Sequence, residues 1–68
     1  MTVRIISKYG DLLKEYYASG SSSEIPVVGD GIVINGESYK VVNRTMDVDA
    51  FSYILEVWKV VENLDGKV

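Results

Sequence analysis

The dipeptide Asn35-Gly36 constrains the fold of this chain more than any other feature of its sequence. It lies between two runs rich in β-branched and aromatic residues, and both of its residues tolerate the positive φ that a type I′ hairpin turn demands. The predicted cross-strand pairs are Ile34 with Glu37, Ile32 with Tyr39, and Asp30 with Val41. This register predicts one apolar face made of Ile32, Ile34, Tyr39 and Val41, with Val33 and Val42 on the reverse.

A second hairpin is predicted at Gly10-Asp11, because Gly at the first central position suits a type II′ turn. The predicted pairs are Val3 with Ala18, Ile5 with Tyr16, and Tyr9 with Leu12. This register places one largely apolar set on one face, namely Val3, Ile5, Tyr9, Leu12, Tyr16 and Ala18. The opposite face receives Arg4, Lys8, Ile6, Leu13, Glu15 and Tyr17.

The segment from Asp11 to Ala18 also allows a helix. Leu12, Leu13, Tyr16 and Tyr17 recur at helical spacing, with Asp11 as an N-cap and Gly20 beyond the end. A helix this short is marginal without tertiary packing, and the Tyr pair and the turn before it favour a strand. We expect a strand here.

The last strand is predicted to run from Phe51 to about Val61. Alternation puts Phe51, Tyr53, Leu55 and Val57 on one face, and Ser52, Ile54, Glu56, Trp58 and Val60 on the other. The acid Glu56 marks the second face as the more hydrated one.

These patterns predict an all-β fold with five strands, in a small, partly open SH3-like barrel built from consecutive hairpins. An open meander that completes its core by dimerising is the alternative. We expect one domain over residues 1–62 and a flexible C-terminal tail over residues 63–68. The predicted core consists of Val3, Ile5, Ile32, Ile34, Tyr39, Val41, Leu55 and Val57.

Composition narrows the function. The 68 residues include no Cys and no His, which removes disulfides, most transition-metal sites, the thiol nucleophile and the commonest general base. A net charge of −3, with scattered basic residues, argues against nucleic acid as a partner. No secretory signal and no apolar run near 18 residues is present, so the chain is expected to be cytoplasmic and not to enter a membrane.

No arrangement of residues predicts catalysis, a cofactor or a metal ion. Asp47 and Asp49 are two positions apart, but the segment lacks the spacing of a calcium loop and is typical of a solvated hairpin tip. Gly29-Asp30-Gly31 lacks the Lys and the following helix of a phosphate loop, so we expect a turn into the third strand. We therefore expect a non-enzymatic protein.

The aromatic residues indicate where a partner could bind. Once Leu55 and Val57 face inward, Trp58 must lie on the outer face, where an indole needs a cover. The predicted partner-binding surface consists of Trp58, Ile54, Val60 and Tyr17, and its partner is expected to be a protein or a second copy of the chain. The alternative is a module that binds peptides or single-stranded nucleic acid through these aromatic residues.

Residues 25–42 resemble a pattern found in small SH3-like β-barrel proteins of unknown function from bacteria and phages. In that pattern a Pro and a Gly-Asp precede a strand, followed by Asn-Gly and Tyr-x-Val-Val, here Pro26, Gly29-Asp30, Asn35-Gly36 and Tyr39 to Val42. The resemblance covers about a quarter of the chain and rests on structural residues. It implies a small barrel of bacterial or phage origin, but no catalytic residues. Gly31 replaces the usual strand residue, which suggests a bulge or a softened strand start.

Overall fold

The computed structural model describes residues 1–19 and 24–60 of the chain. Five strands form one sheet with the order β2-β1-β5-β4-β3, which curls into a half-barrel. They are β1 (Thr2–Ser7), β2 (Leu12–Tyr17), β3 (Gly31–Ile34), β4 (Glu37–Asp47) and β5 (Ser52–Lys59). The described residues contain no α-helix, so the all-β prediction is confirmed and the architecture is consistent with a small SH3-like barrel. The predicted tail, residues 63–68, lies outside the described residues.

The β3–β4 hairpin forms as predicted. Asn35 and Gly36 have φ values of 51° and 81°, as a type I′ turn requires. Ile34 pairs with Glu37 and Ile32 with Tyr39. This hairpin therefore follows from local turn chemistry alone.

Before β3 the chain makes the turn predicted at Gly29. The Asp30 N–H donates to the Val27 carbonyl at 3.0 Å, and Gly29 has a φ of 101°. The Gly29 N–H donates to the Val41 carbonyl at 2.9 Å, and the Val41 N–H donates to the Asp30 carbonyl at 2.9 Å. Gly29 and Asp30 together therefore face Val41, as in a β-bulge that begins with a left-handed Gly. The bulge lies at Gly29, and Gly31 is the first residue of the strand.

The β1–β2 hairpin exists, but its predicted register is wrong. Next to the loop, Ile6 pairs with Leu12, so β2 is displaced by three positions from the prediction; beyond the register shift, Val3 pairs with Tyr16 and Ile5 with Lys14, a displacement of two. The reason for the displacement next to the loop is a loop longer than a type II′ turn. The Gly10 N–H donates to the Ser7 carbonyl at 2.9 Å and Gly10 has a φ of 91°, as in a three-residue loop that ends in a left-handed residue.

The predicted faces of this hairpin change as a result. The register shifts by one residue at Leu13, where Ile5 pairs with Lys14 but Ile6 pairs with Leu12. Leu13 consequently packs against the core while Leu12 is exposed, the reverse of the prediction. Tyr9, predicted to face inward, lies in the loop and is 79% exposed.

The last strand begins one residue later than predicted. Phe51 has a φ of 53° and belongs to the turn before β5. Within β5 the predicted alternation is confirmed, because Leu55 and Val57 are buried while Trp58 is exposed. The β4 partner strand carries one extra residue, Val42, at a register shift between Val41 and Asn43.

A parallel pairing of β1 with β5 joins the two hairpin regions, with Ile5 opposite Leu55 and Ser7 opposite Val57. The prediction from consecutive hairpins did not contain this contact. The core lies inside the curl of the sheet and consists of Val3, Ile5, Ala18, Ile25, Ile34, Val41, Leu55 and Val57. Of the predicted core residues, Ile32 and Tyr39 are only partly buried against this cluster. The prediction omitted Ala18 and Ile25.

Candidate functional site

The outer face of β5 carries three of the four residues predicted to bind a partner. Trp58 is 49% exposed, Val60 is exposed, and Ile54 is partly buried. The Val60 N–H donates to the Ser38 carbonyl at 2.9 Å, so the ladder continues one residue beyond the strand. Trp58 and Val60 are two positions apart and therefore neighbours on this face, while Glu56 lies between Ile54 and Trp58.

The fourth predicted residue, Tyr17, lies at the other end of the sheet. It pairs with Thr2, and Thr2 pairs with Ser52, the first residue of β5. Trp58 lies six positions further along β5, which corresponds to about 20 Å. Tyr17 is 73% exposed, but it does not border Trp58.

Tyr9 and Lys8 border Trp58 instead. Because β1 and β5 run parallel and Ser7 pairs with Val57, the loop after β1 emerges beside Trp58. The Lys8 ammonium lies 5.3 Å from the centroid of the Trp58 ring and 5.3 Å from that of Tyr9. Both distances are within the range of a cation–π contact. We call Trp58, Val60, Lys8 and Tyr9 the Trp58 surface.

Two contacts hold the indole in place. Its N–H donates to the Glu56 carboxylate at 3.0 Å, on the same face of the same strand. Lys8 lies over the ring, and Lys40 occupies the paired position on β4. The ring is thereby positioned by charged neighbours while about half of its surface stays accessible.

A groove lies where the half-barrel is not closed, between the edge strands β2 and β3. Its volume is about 280 Å³, and its lining is mostly apolar. It is lined by Ile5, Lys14, Tyr16, Pro26, Ile32, Val33, Ile34 and Asn35. Lys14 is the charged residue among them. We call this cavity the seam groove.

The turn between β4 and β5 carries exposed apolar side chains. Val48 is 76% exposed and Phe51 is 62% exposed. The Asp47 carboxylate accepts the Ala50 N–H at 3.1 Å, and the Phe51 N–H donates to the Val48 carbonyl at 3.4 Å. Asp47 and Asp49 thus belong to a hairpin turn, as predicted. We call residues 48–51 the hairpin tip.

Two titratable groups have pKa values above their ordinary range. Burial, and secondarily the negative charge of Glu24, raise the pKa of the Tyr16 hydroxyl. The hydrogen bond and charge of Glu37 raise the pKa of the Lys59 ammonium. In the described ranges, no group of three acidic side chains lies close enough together to hold a metal ion.

Comparison with protein-family models, with curated proteins and with solved structures finds no match to this chain. Among residues 1–19 and 24–60, no helix is long and apolar enough to cross a lipid bilayer.

Proposed function

We propose that this domain is a non-catalytic interaction domain that binds a protein partner through the Trp58 surface. The observation that carries the proposal is the half-exposed, fixed indole of Trp58. Trp is among the residues most enriched at the centres of protein interfaces, where its burial contributes a large part of the binding energy.

The contacts of the indole support binding rather than structural packing. The hydrogen bond to Glu56 and the Lys8 ammonium over the ring restrict the rotamers of Trp58 before a partner arrives. A side chain that is already ordered loses less conformational entropy on binding. Tyr9 adds a second exposed aromatic ring, which contacts the same Lys8 ammonium.

Net charge favours a protein over a nucleic acid. The chain has a net charge of −3, and its basic residues are scattered along the sequence. Beside the indole, the Glu56 carboxylate would repel phosphates, and Lys8 and Lys40 are the two cations that would attract them. Nucleic-acid affinity depends strongly on neutralising those phosphates with basic residues.

The partner can be identified by photocrosslinking from position 58, with the same photoreactive residue at position 17 as a matched control. Both positions are exposed on one sheet face, but they lie at opposite ends of it. We expect a covalent adduct of defined mass from position 58 and none from position 17.

The purified partner is then titrated against the chain, whose single Trp reports its own burial by a blue shift of its fluorescence. Trp58→Ser should weaken binding about 10-fold or more, which corresponds to about 1.4 kcal/mol; binding of this variant is followed by calorimetry. Tyr17→Ser should leave the affinity unchanged. Equal affinities for wild type and Trp58→Ser would overturn the proposal, as would salt-sensitive quenching of Trp58 by oligonucleotides without a protein partner.

A further inference from the structure

We propose that the domain also associates head-to-tail with further copies of itself, with the hairpin tip of one copy entering the seam groove of the next. This contact is separate from the Trp58 surface. It uses the hairpin tip and the seam groove, both described above.

The conformation of Phe51 is the first reason. A left-handed backbone costs a non-Gly residue about 1–2 kcal/mol, and a bulky residue adopts it rarely. Phe51 has a φ of 53° and remains 62% exposed. Gly or Asn would suit this turn better in an isolated domain. The strained, exposed aromatic therefore points to a contact made outside the single copy.

The seam groove has the properties that the tip needs. It is mainly apolar and holds about 280 Å³, enough for one aromatic ring with a neighbouring aliphatic side chain. Phe51 and Val48 supply such a pair. Lys14 lines the groove, and the exposed Asp49 lies between Val48 and Phe51 on the tip. The two surfaces therefore match in both polarity and charge.

A single copy does not make this contact with itself. Phe51 is 62% exposed and Val48 is 76% exposed, and neither side chain is among the residues that line the groove. The tip is therefore free to enter the groove of another copy, and such a contact between different surfaces builds rings or open chains.

The edges of the groove favour side chains over an added strand as its occupant. On β2, Lys14 lines the groove and the register shifts at Leu13, while β3 is only four residues long. Inward-pointing charges, bulges and short edge strands are devices that oppose strand addition. The side chains of Val48 and Phe51, which we call the knob, can enter the groove without adding a strand to either edge.

The test compares molar masses by sedimentation equilibrium for the wild type and two variants, each checked for folding by circular dichroism. Phe51→Gly removes the knob but keeps the groove, and its turn tolerates Gly. Lys14→Glu keeps the knob but reverses the charge in the groove. We expect the mass of the wild type to rise with concentration beyond that of a dimer, and each variant alone to remain a monomer.

The mixture of the two variants is the sharpest measurement. The Phe51→Gly variant keeps a working groove but has no knob, and the Lys14→Glu variant keeps the knob but has no working groove. The knob of Lys14→Glu can therefore enter the groove of Phe51→Gly, and no further copy can add to the resulting dimer. The double variant Lys14→Glu/Asp49→Lys should regain the assembly of the wild type. Trp58→Ser should assemble as the wild type does, which separates this contact from the proposed partner surface.

Three results would overturn the inference. The first is a wild type that remains monomeric up to about 1 mM, which limits any association to about −4 kcal/mol. The second is a Phe51→Gly variant that assembles as the wild type does. The third is a wild type that stops at a closed dimer.

Discussion

The Arg44 guanidinium lies over the ring of Tyr53, with its central carbon 4.4 Å from the ring centroid. The extra residue in β4 at Val42 produces this contact. Beyond the bulge, Arg44 pairs with Leu55 and thus shares the inner face of the sheet with the core. The bulge therefore brings a charged side chain to the face of the sheet that carries the apolar core.

Replacing Arg44 with Met should leave stability unchanged or raise it by about 1 kcal/mol. The Arg44 Nε atom is buried without a hydrogen-bond partner among the described residues, which is a cost that Met removes. Met also keeps an apolar chain over Tyr53. Arg44→Ala, the control, loses this cover and should cost about 1 kcal/mol. Urea denaturation measures both changes, and a loss above about 2 kcal/mol for Arg44→Met would contradict this account.

Leu13→Ala should destabilise the domain much more than Leu12→Ala. Leu13 packs against the core, so its truncation should cost about 2 kcal/mol, near the lower limit for buried Leu. Leu12 is exposed, and its truncation should change stability by no more than about 0.5 kcal/mol. Comparing these two variants tests the extra residue at Leu13 directly. In the predicted type II′ register, Leu12 would face the core and Leu13 would be exposed, so Leu12→Ala would be the more destabilising substitution. Chemical denaturation followed by circular dichroism provides the measurement.

The two hairpins show which parts of the fold local sequence can predict. Asn35-Gly36 predicts both the turn and the register, because its two residues adopt positive φ at little cost. Gly10 is compatible with two loops. The longer one displaces β2 by three positions at Leu12, and the extra residue at Leu13 reduces the displacement to two positions from Lys14 onward. Turn chemistry alone therefore predicted the first register and failed for the second.

Contacts between distant segments account for the rest of the difference. No turn connects β1 with β5, so local sequence does not predict their parallel pairing or the proximity of Tyr9 and Trp58 that results from it. Ile25 lies in a loop and shows no alternation, although it is buried. The outward position of Trp58, by contrast, followed from alternation along β5.

Phe51→Gly should stabilise the isolated domain by about 0.5–1 kcal/mol. Gly adopts the left-handed conformation of this position without the steric cost that Phe incurs, and this gain exceeds the entropy that Gly loses on folding. Val48→Gly is the matched control, because Val48 is also exposed at the tip but does not have a positive φ. It should destabilise the domain slightly. The stabilities of the two variants are compared by thermal unfolding at low protein concentration, where copies do not associate.

Stability should fall as the pH rises above about 10, and Tyr16→Phe should reduce that fall. Burial raises the pKa of the Tyr16 hydroxyl above its ordinary value of 10.0, and this hydroxyl donates to the Glu24 carbonyl at 3.2 Å. The folded state therefore holds this proton more tightly than the unfolded chain does. The resulting stabilisation is complete below pH 10 and is lost as the pH passes the folded-state pKa.

Lys59 also has a raised pKa, through Glu37, and acts in the same direction. The contribution of Tyr16 is therefore isolated by comparing variants. Urea midpoints at pH 8, 10 and 11 should converge for Tyr16→Phe and the wild type at the highest pH. Identical profiles for the two proteins would mean that Tyr16 ionises as freely in the folded state as in the unfolded chain.

The parallel pairing of β1 and β5 determines the order in which the chain can fold. Each residue of β1 pairs with a residue fifty positions later, so the middle of the sheet cannot assemble during synthesis until β5 has left the ribosome. Until then β1 and β2 form a lone two-stranded hairpin, which is marginally stable in water. The three-stranded unit of β3, β4 and β5 has only neighbouring antiparallel contacts. Docking of the first hairpin onto that unit closes a loop of about fifty residues, and we expect this late step to limit the rate of folding.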